Sequence, residues 1–401
     1  MKTKISIATL SFLTLANIVL FKMQGDEGIP PKVTIIEYQE ENLANSNAEV
    51  PNAEVPNVEV PNVEEPETIP VFPRLEGLAT ITKEECREIV SVLASDEYEG
   101  RKPGSDGDKK TISYVEDQFR RIGLEPINEK GYRHSFVWQA PSKTKLETSN
   151  VVGIIEGTDD TCILLGAHMD HLGKASGLRV KNRIYNGADD NASGVSALIE
   201  IAEAFVESKV VPKHTLIFVA FNAEEMGLIG SQFYVSYPVK PLEKLFLMIN
   251  LDMIGRLDGK DELDLQSSRI SKDLEKLIDK LDDEYPFDFD LTKAGSRSDH
   301  AHFASQKIPV LFFHTGGHSL YHTTGDEIDT LDFDGLEKLT KFIFDLTFTL
   351  AVDNLETNKT SFINIPNSPF VSKVEYKEKF SRSHSWRPTG QPQWVTSRAS
   401  R

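Results

Sequence analysis

The 401-residue sequence is poor in cysteine, with only Cys86 and Cys162. Two cysteines cannot form the disulfide framework of a small secreted domain, and no C-x-x-C pair is present to bind a metal. Cys86 falls in a predicted helix and Cys162 in a predicted core strand. Because cysteine is among the residues most often buried, we predict that both are buried thiols.

Basic residues are scarce near the N-terminus. The formal net charge is -18, and Lys32 is the only basic residue between Asp26 and Pro73, among many acidic ones. The acidity of the chain therefore belongs largely to this segment. A basic footprint for nucleic acid is absent there, so we expect no nucleic-acid partner.

Long apolar runs are absent except at the N-terminus. Lys2 and Lys4 precede an uncharged run from Ile5 to Phe21, which is the order of a signal peptide. The run is close to the length of a membrane span and no clean A-x-A cleavage site follows it, so an uncleaved anchor is the competing interpretation. Residues 1–22 are therefore predicted to be a signal peptide or signal anchor. The domain is expected outside the cytoplasm, where it would be periplasmic, secreted or tethered to a membrane.

Two polar segments flank the globular part of the chain. Residues 23–73 form an acidic, proline-rich linker in which Asn47–Pro66 repeats five residues four times, as NAEVP NAEVP NVEVP NVEEP. Regular proline blocks helix and sheet and the glutamates repel one another, so this linker is predicted to be extended. It is either a stalk that holds the domain away from a membrane or a neutral insert. Residues 357–401 form a basic C-terminal tail, to which the sequence assigns no role.

Residues 74–356 have the composition of a globular domain. Short apolar runs alternate with segments of helical periodicity. This alternation predicts an α/β fold, a three-layer sandwich in which helices flank a mostly parallel, mixed central sheet. The predicted strands are 151–155, 163–167, 216–221, 245–251 and 310–313. The predicted helices are 81–93, 111–122, 193–207, 228–235, 272–281 and 336–350.

Five short motifs lie at the ends of predicted strands. They are GAHMDH from Gly166, GADDNASG from Gly187, FNAEEMG from Phe221, NLDMIG from Asn250 and YHTTGDE from Tyr321. Ligands bind open α/β sheets at the carboxyl ends of the strands. The polar side chains of the five motifs are therefore expected to meet at one edge of the sheet.

The first two motifs carry candidate metal ligands. His168 could bind zinc through one ring nitrogen. Asp170 points the same way in an extended chain and could accept a hydrogen bond from the other nitrogen. Either Asp189 or Asp190 could bridge two metals, although both could equally form an N-cap cluster for the following helix.

The other three motifs complete the set. One of Glu224 and Glu225 can bind a metal while the other holds a proton. Asp252 is a carboxylate at an apolar strand end, where an unpaired charge is costly and requires a partner or a cation. With His322 included, the motifs supply two histidines and several carboxylates, which are donors that suit zinc or a similar divalent ion.

The five motifs, in this order, resemble those of the M28 family of zinc aminopeptidases. The resemblance covers roughly residues 75–355, and the sequence Ser-Asp-His at residues 298–300 also resembles a recurring segment of that family. It implies a zinc-peptidase (phosphorylase/hydrolase-like) fold, two Zn2+ ions per chain, peptide substrates and removal of N-terminal residues.

The resemblance also implies a role for each site residue. The implied ligands are His168 and Asp252 on one zinc, Glu225 and His322 on the other, and Asp190 as the bridge, preferred to Asp189 by its place three residues before Ser193. The implied catalytic residues are Glu224 as general base, Asp170 as the group that orients His168, and Tyr321, which assists the oxyanion. The nearby histidines His300, His302, His314 and His318 are interpreted as supporting residues rather than ligands.

Three other functions remain open at this point. A glutaminyl-peptide cyclotransferase uses a similar fold with one working zinc. A carboxypeptidase of the same clan would need a basic pocket for the substrate carboxylate. A non-catalytic stalked ectodomain would use the fold for binding alone, since fold does not fix function. The complete ligand set and the Ala-Glu-Glu element favour hydrolysis.

Overall fold

The computed structural model describes residues 73–139, 145–175, 184–288 and 291–352. The predicted signal or anchor at residues 1–22, nearly all of the predicted linker and the predicted basic tail lie outside these residues. Within the described ranges, none of the helices combines the length and the apolar character that crossing a bilayer requires.

The described residues form eight α-helices. Three of them are capped by Thr82, Ser105 and Ser271, whose side chains each accept a hydrogen bond from the main-chain N–H three residues on. In chain order the helices are α1 (Pro73–Thr80), α2 (Lys83–Leu93), α3 (Asp106–Ile122), α4 (Gly194–Glu207), α5 (Ile229–Ser236), α6 (Lys272–Asp282), α7 (His300–Ser305) and α8 (Phe333–Val352).

Nine of the described strands form one mixed sheet in the order β1-β3-β7-β4-β8-β11-β9-β10, with β2 paired to β3, while β5 and β6 pair separately. Its central strands β7, β4, β8 and β11 are mutually parallel, and antiparallel pairs flank them. The bounds are β1 (Glu125–Pro126), β2 (Arg133–Gln139), β3 (Lys145–Ile155), β4 (Cys162–His168), β5 (Gly173–Lys174), β6 (Ile184–Tyr185), β7 (Thr215–Phe221), β8 (Leu245–Leu251), β9 (Asp264–Ser268), β10 (Thr292–Lys293) and β11 (Val310–His314).

Helices cover both faces of this sheet. In β4, Ile163 packs into a cluster with residues of α4 and α8, whereas its neighbour Leu164 packs into another with Tyr234 of α5 and Phe303 of α7. This alternation arises because successive residues of a strand point to opposite faces. The predicted three-layer α/β fold with a mixed central sheet is confirmed.

The predicted elements are all present, with some differences in their bounds. The helix predicted from residue 81 begins at Lys83 because Thr82 caps it. Sequence patterns missed β2, which is mostly exposed or half-buried and so lacks an apolar run. Cys86 and Cys162 are buried free thiols, as predicted.

The topology brings the motifs to one edge of the sheet. Strands β4, β7, β8 and β11 are parallel, so their carboxyl ends lie side by side. His168 is the last residue of β4, the Glu224–Glu225 pair follows β7, and Asp252 follows β8 directly. The edge therefore collects side chains that are distant in sequence.

Candidate metal centre

His168 faces two carboxylates at the end of β4. Its Nε2 lies 3.2 Å from Oδ1 of Asp190 and 3.4 Å from Oδ1 of Asp252. All three side chains are buried or nearly so. Burial lowers the pKa of His168, but Asp252, Glu224 and Asp190 outweigh that effect and hold the pKa well above its ordinary value. The carboxylates therefore favour a positive charge at this nitrogen, which a proton or a metal ion supplies.

A second group of donors surrounds Glu225. Nε2 of His322 lies 3.0 Å from Oε2 of Glu225 and 3.1 Å from Oδ2 of Asp190. On the other side of Glu225, Nδ1 of His171 lies 2.7 Å from Oε1. His171 is not among the ligands predicted from the sequence, although it is the third residue after His168 in the same motif.

Asp190 belongs to both groups, through different oxygens. Oδ1 faces His168 and Oδ2 faces His322. Its neighbour Asp189 faces away, because Oδ1 accepts the Gly255 N–H at 2.8 Å and Oδ2 lies 3.1 Å from Nε2 of His318. The two adjacent aspartates therefore have different contacts, and Asp190 alone contacts both groups.

The Asp326 carboxylate holds the backbone of the loop that carries these aspartates. One carboxylate, Asp326, accepts the main-chain N–H of Asp189 at 2.9 Å and that of Asp190 at 3.0 Å. Asp326 follows His322 by four residues, so the same loop positions the Asp190 backbone and supplies a histidine to the centre.

The donor set fits zinc. Three carboxylates, Asp190, Asp252 and Glu225, converge in a buried region, where their mutual repulsion requires compensating positive charge. Oδ2 of Asp190 and Nε2 of His171 are buried without a hydrogen bond among the described residues. Imidazole nitrogens and carboxylate oxygens are the ligands that zinc takes when thiolates are absent.

Glu224 faces the cavity in front of these groups, and Asp170 holds its backbone. Oδ1 of Asp170 accepts the Glu224 N–H at 3.0 Å and Oδ2 accepts the Glu225 N–H at 3.3 Å. Burial raises the pKa of Glu224, and Asp252 and Asp299 raise it further, against the opposing effect of His168. Glu224 is thus a carboxyl group with strengthened proton affinity beside the candidate ligands.

The contact between His168 and Asp170 differs from the expected one. Nδ1 of His168 lies 3.2 Å from the main-chain oxygen of Asp170, whereas the carboxylate Oδ1 is 3.8 Å away. The main-chain carbonyl is the nearer acceptor because the carboxylate is engaged by the two glutamate N–H groups. Asp170 therefore contacts His168 through its backbone and the glutamate pair through its side chain.

Tyr321 stacks on His322, with ring centroids 3.8 Å apart and an interplanar angle of 21°. Burial raises the pKa of its hydroxyl, and the carboxylates of Asp190 and Glu225 add to the effect. The Tyr321 hydroxyl is therefore protonated at neutral pH and can donate a hydrogen bond into the cavity.

Arg101 is a supporting residue that the sequence analysis missed. It is 1% exposed. Its guanidinium donates to main-chain oxygens beside both ligand loops, with Nε 3.0 Å from Met169 O, Nη2 2.8 Å from Gly187 O and Nη2 3.4 Å from Asp190 O. Burial lowers the pKa of Arg101 to about 10, and nearby carboxylates such as Asp190 partly offset this. No sequence pattern marks it, since its partners are carbonyl groups of distant segments.

The centre opens into a cavity of ≈ 380 Å³. His168, Asp190, Asp252 and His322 line it together with Glu224, and Tyr321 lies on the same wall. The eight site residues predicted from the sequence thus lie at this cavity or directly behind it. A molecule bound in the cavity would therefore contact Glu224 and the candidate ligands together.

Comparison with known proteins identifies the family to which the site-bearing segment belongs. A family model of peptidase family M28 matches residues 150–347. Residues 150–347 therefore belong to peptidase family M28. The matched M28 segment contains all of the candidate ligands and Glu224, while Arg101 precedes it.

Two named relatives match part of this chain in sequence. One is a probable zinc metalloprotease of Pyrenophora teres f. teres, 31% identical over 45% of this chain and 43% of the relative. The other is leucine aminopeptidase 1 of Ajellomyces capsulatus, 28% identical over 51% of this chain and 57% of the relative. The chain thus matches about half the length of these relatives.

Solved structures share the fold of the M28 domain. Legionella pneumophila LapA aligns with a TM-score of 0.56 and 23% identity, covering 73% of this chain and 80% of LapA. A glutaminyl cyclase of Porphyromonas gingivalis aligns with a TM-score of 0.56 and 17% identity, covering 68% of this chain and 99% of the cyclase. LapA and a glutaminyl cyclase therefore share this fold, so the fold alone does not distinguish a peptidase from a cyclase.

Proposed function

We propose that this chain is a zinc aminopeptidase that binds two zinc ions. The observation that carries the proposal is the double contact of Asp190, whose two oxygens face separate groups of donors. Such a carboxylate can hold two metals close together, an arrangement used for hydrolysis. His168 and Asp252 would be the remaining ligands of one ion, and Glu225 and His322 those of the other.

The chemistry proposed for the site is the attack of water on a peptide carbonyl. Bound zinc would lower the pKa of water towards neutrality and polarise the carbonyl group. Glu224 takes the proton from the attacking water as the new C–O bond forms. It then transfers this proton to the nitrogen of the leaving amine as the C–N bond breaks. The raised proton affinity of Glu224 suits it to hold the proton between these two steps.

Two further groups act on the substrate in this proposal. The Tyr321 hydroxyl donates a hydrogen bond to the oxygen that gains negative charge in the transition state. The free N-terminal ammonium of the peptide lies beside the carboxylates of the centre, which attract it. This attraction selects the end of a chain over its interior, and the name of the Ajellomyces relative supports removal of N-terminal residues.

Three alternatives make different predictions. A glutaminyl-peptide cyclotransferase would contain one zinc per chain and would cyclise N-terminal glutamine without hydrolysing peptides. A carboxypeptidase of the same clan would cleave N-blocked peptides that have a free C-terminus. A non-catalytic ectodomain would have no activity with zinc bound, and the complete set of donors around Asp190 argues against it.

The decisive experiment is activity on a panel of aminoacyl p-nitroanilides, each tested free and N-acetylated. We expect hydrolysis of free substrates, loss of activity in the presence of a chelator and recovery on addition of zinc. The Glu224→Gln variant serves as the inactive control for contaminating peptidases. Cleavage of N-blocked peptides alone would contradict the aminopeptidase proposal, and cyclisation of N-terminal glutamine alone would favour the cyclase.

We also propose that the domain acts outside the cytoplasm, held by or released from the predicted N-terminal signal or anchor at residues 1–22. The charged-then-apolar order of that segment supports export. Fractionation of cells expressing the full chain tests the proposal. Activity confined to the cytoplasmic fraction would contradict it, and N-terminal sequencing would distinguish cleavage from retention.

A further inference from the structure

Arg256 is a largely buried cation on the wall of the cavity that contains Glu224. Its side chain is 17% exposed, and Nη2 lies 3.5 Å from Oδ2 of Asp258, whose side chain is 48% exposed. Nε and Nη1 are buried, and neither has a hydrogen-bond partner among the described residues. A long ion pair with an exposed carboxylate is weak. The guanidinium therefore retains two unpaired donors.

The backbone of Arg256 is tied to the loop that supplies His322. The Arg256 N–H donates to Oγ1 of Thr315 at 3.3 Å. Thr315 in turn donates to the main-chain oxygen of Met253, through N at 2.9 Å and Oγ1 at 2.8 Å. Arg256 therefore has a fixed place relative to the metal centre, four residues after Asp252.

The other charges of the cavity do not neutralise Arg256. Asp264 lies on the same wall and its Oδ2 accepts a hydrogen bond from Nε2 of Gln266 at 2.9 Å. In the part of the chain that the structure describes, neither Asp264 nor Glu262 forms an ion pair with Arg256. Three more cations line the cavity: Lys260, Lys293 and Arg297. Outside the metal centre, the lining of the cavity therefore carries four cations against the three carboxylates of Asp258, Glu262 and Asp264.

We propose that Arg256 binds a carboxylate group of the substrate. A largely buried guanidinium with two unpaired donors and one long ion pair is costly, and an incoming anion reduces that cost. The planar guanidinium matches the geometry of a carboxylate. The inference rests on the proposed peptidase function, because the bound molecule is the peptide cleaved beside Glu224. It names the substrate class as peptides with a carboxylate close to the scissile bond.

Such a carboxylate has two chemical sources. It is either the side chain of an N-terminal acidic residue or the free C-terminus of a very short peptide. Two matched substrate pairs separate them. Glutamyl and glutaminyl p-nitroanilide differ in the side-chain carboxylate, whereas leucyl-glycine and leucyl-glycinamide differ in the terminal one. For each pair, kcat/KM would be measured with the zinc-loaded protein, and affinity would be measured by calorimetry in the Glu224→Gln background.

We expect the wild-type protein to favour the carboxylate-bearing member of one pair by about 10- to 100-fold, the range of a charge-assisted hydrogen bond. Arg256→Gln should bring that ratio to within about threefold of unity while sparing the neutral member. Arg256→Lys should keep part of the preference. Arg87→Gln is the matched control, at an exposed arginine of α2 that contacts Phe333 outside the cavity, and it should leave both substrate ratios unchanged.

Thermal unfolding separates recognition from structural support. Because Arg256 is poorly paired in the free protein, Arg256→Gln should not lower the melting temperature. Equal rates and affinities for both members of both pairs in the wild type would overturn the proposal, as would a preference that survives Arg256→Gln. Cleavage without any preference for a carboxylate would refute the role of Arg256 and leave the proposed peptidase function intact. A binding preference without any cleavage would refute the peptidase function and leave the role of Arg256 intact.

Discussion

Replacing Arg101 tests how the two ligand loops are held together. Its guanidinium makes five contacts with main-chain oxygens, including Leu93 O at 2.7 Å and Asn186 O at 2.5 Å. Arg101→Met would leave these oxygens buried without a donor. It would also remove a buried positive charge that interacts electrostatically with Asp190.

The loss of stability expected for Arg101→Met can be estimated from these hydrogen bonds. A hydrogen bond from a charged donor contributes about 1.5–3 kcal/mol, so five contacts give a gross figure of roughly 10 kcal/mol. Relief of the buried charge and entry of water offset much of this, and breaking a buried charge network typically costs about 3–5 kcal/mol. We expect that loss for Arg101→Met, which corresponds to a melting temperature lower by roughly 8–15 °C.

The assay is thermal unfolding of the zinc-loaded and chelator-treated proteins, with zinc affinity measured by competition with a chelator. Arg101→Met should also bind zinc about 10- to 100-fold more weakly, because the loops that carry the ligands lose their support. Arg87→Met is the matched control and should unfold within about 3 °C of the wild type, because the exposed Arg87 loses only its cation–π contact with Phe333, about 0.5–1 kcal/mol. An Arg101→Met protein with wild-type stability and zinc affinity would refute the reasoning.

Three further predictions concern single carboxyl groups. Glu224→Gln should retain zinc, measured by elemental analysis, and lose about 10²- to 10⁴-fold in kcat, since it removes the proton carrier; unchanged turnover would exclude that role. Asp190→Asn should lose zinc while Asp189→Asn keeps it, because only Asp190 contacts both donor groups; equal zinc content in the two variants would contradict the assignment. Glu200 is buried in α4, and burial raises its pKa to about 8, with Glu85 and Glu203 adding to the shift. The folded protein therefore binds this proton more tightly than the unfolded one, and stability falls as pH rises from about 4.5 to about 8. Glu200→Gln should be neutral near pH 4.5 and stabilising by about 1–3 kcal/mol near pH 9 in urea unfolding; a pH-independent effect would disprove the buried charge.

The central architecture was predictable because β-strands buried on both sides have a strong signature. Apolar runs such as 163–167 and 216–221 predicted the strands. The polar residues that directly follow these runs predicted the position of the site. The order of the motifs then indicated the family, and the match of residues 150–347 to the model of peptidase family M28 agrees with it. Strand β2 was not predictable in the same way, because its residues are largely exposed or half-buried and its pairing with β3 is a tertiary property.

The supporting contacts of the site were less accessible to sequence reasoning. Arg101 lies in a polar segment that looks exposed, yet four of its five partner carbonyl groups are 68 to 89 residues away. The Asp170 carboxylate binds the glutamate backbone rather than the imidazole, and only the path of the chain after β7 shows this. His171 is a second imidazole only three residues after His168. Its contact with Glu225 could not be predicted because it depends on how the chain folds.

The most direct test of the account is the zinc content of the active protein, measured by elemental analysis alongside hydrolysis of leucyl p-nitroanilide. The account predicts two zinc ions per chain, loss of both metal and activity in Asp190→Asn, and recovery of activity as zinc is restored to the stripped wild type. Full aminopeptidase activity with one zinc per chain, or with none, would contradict it.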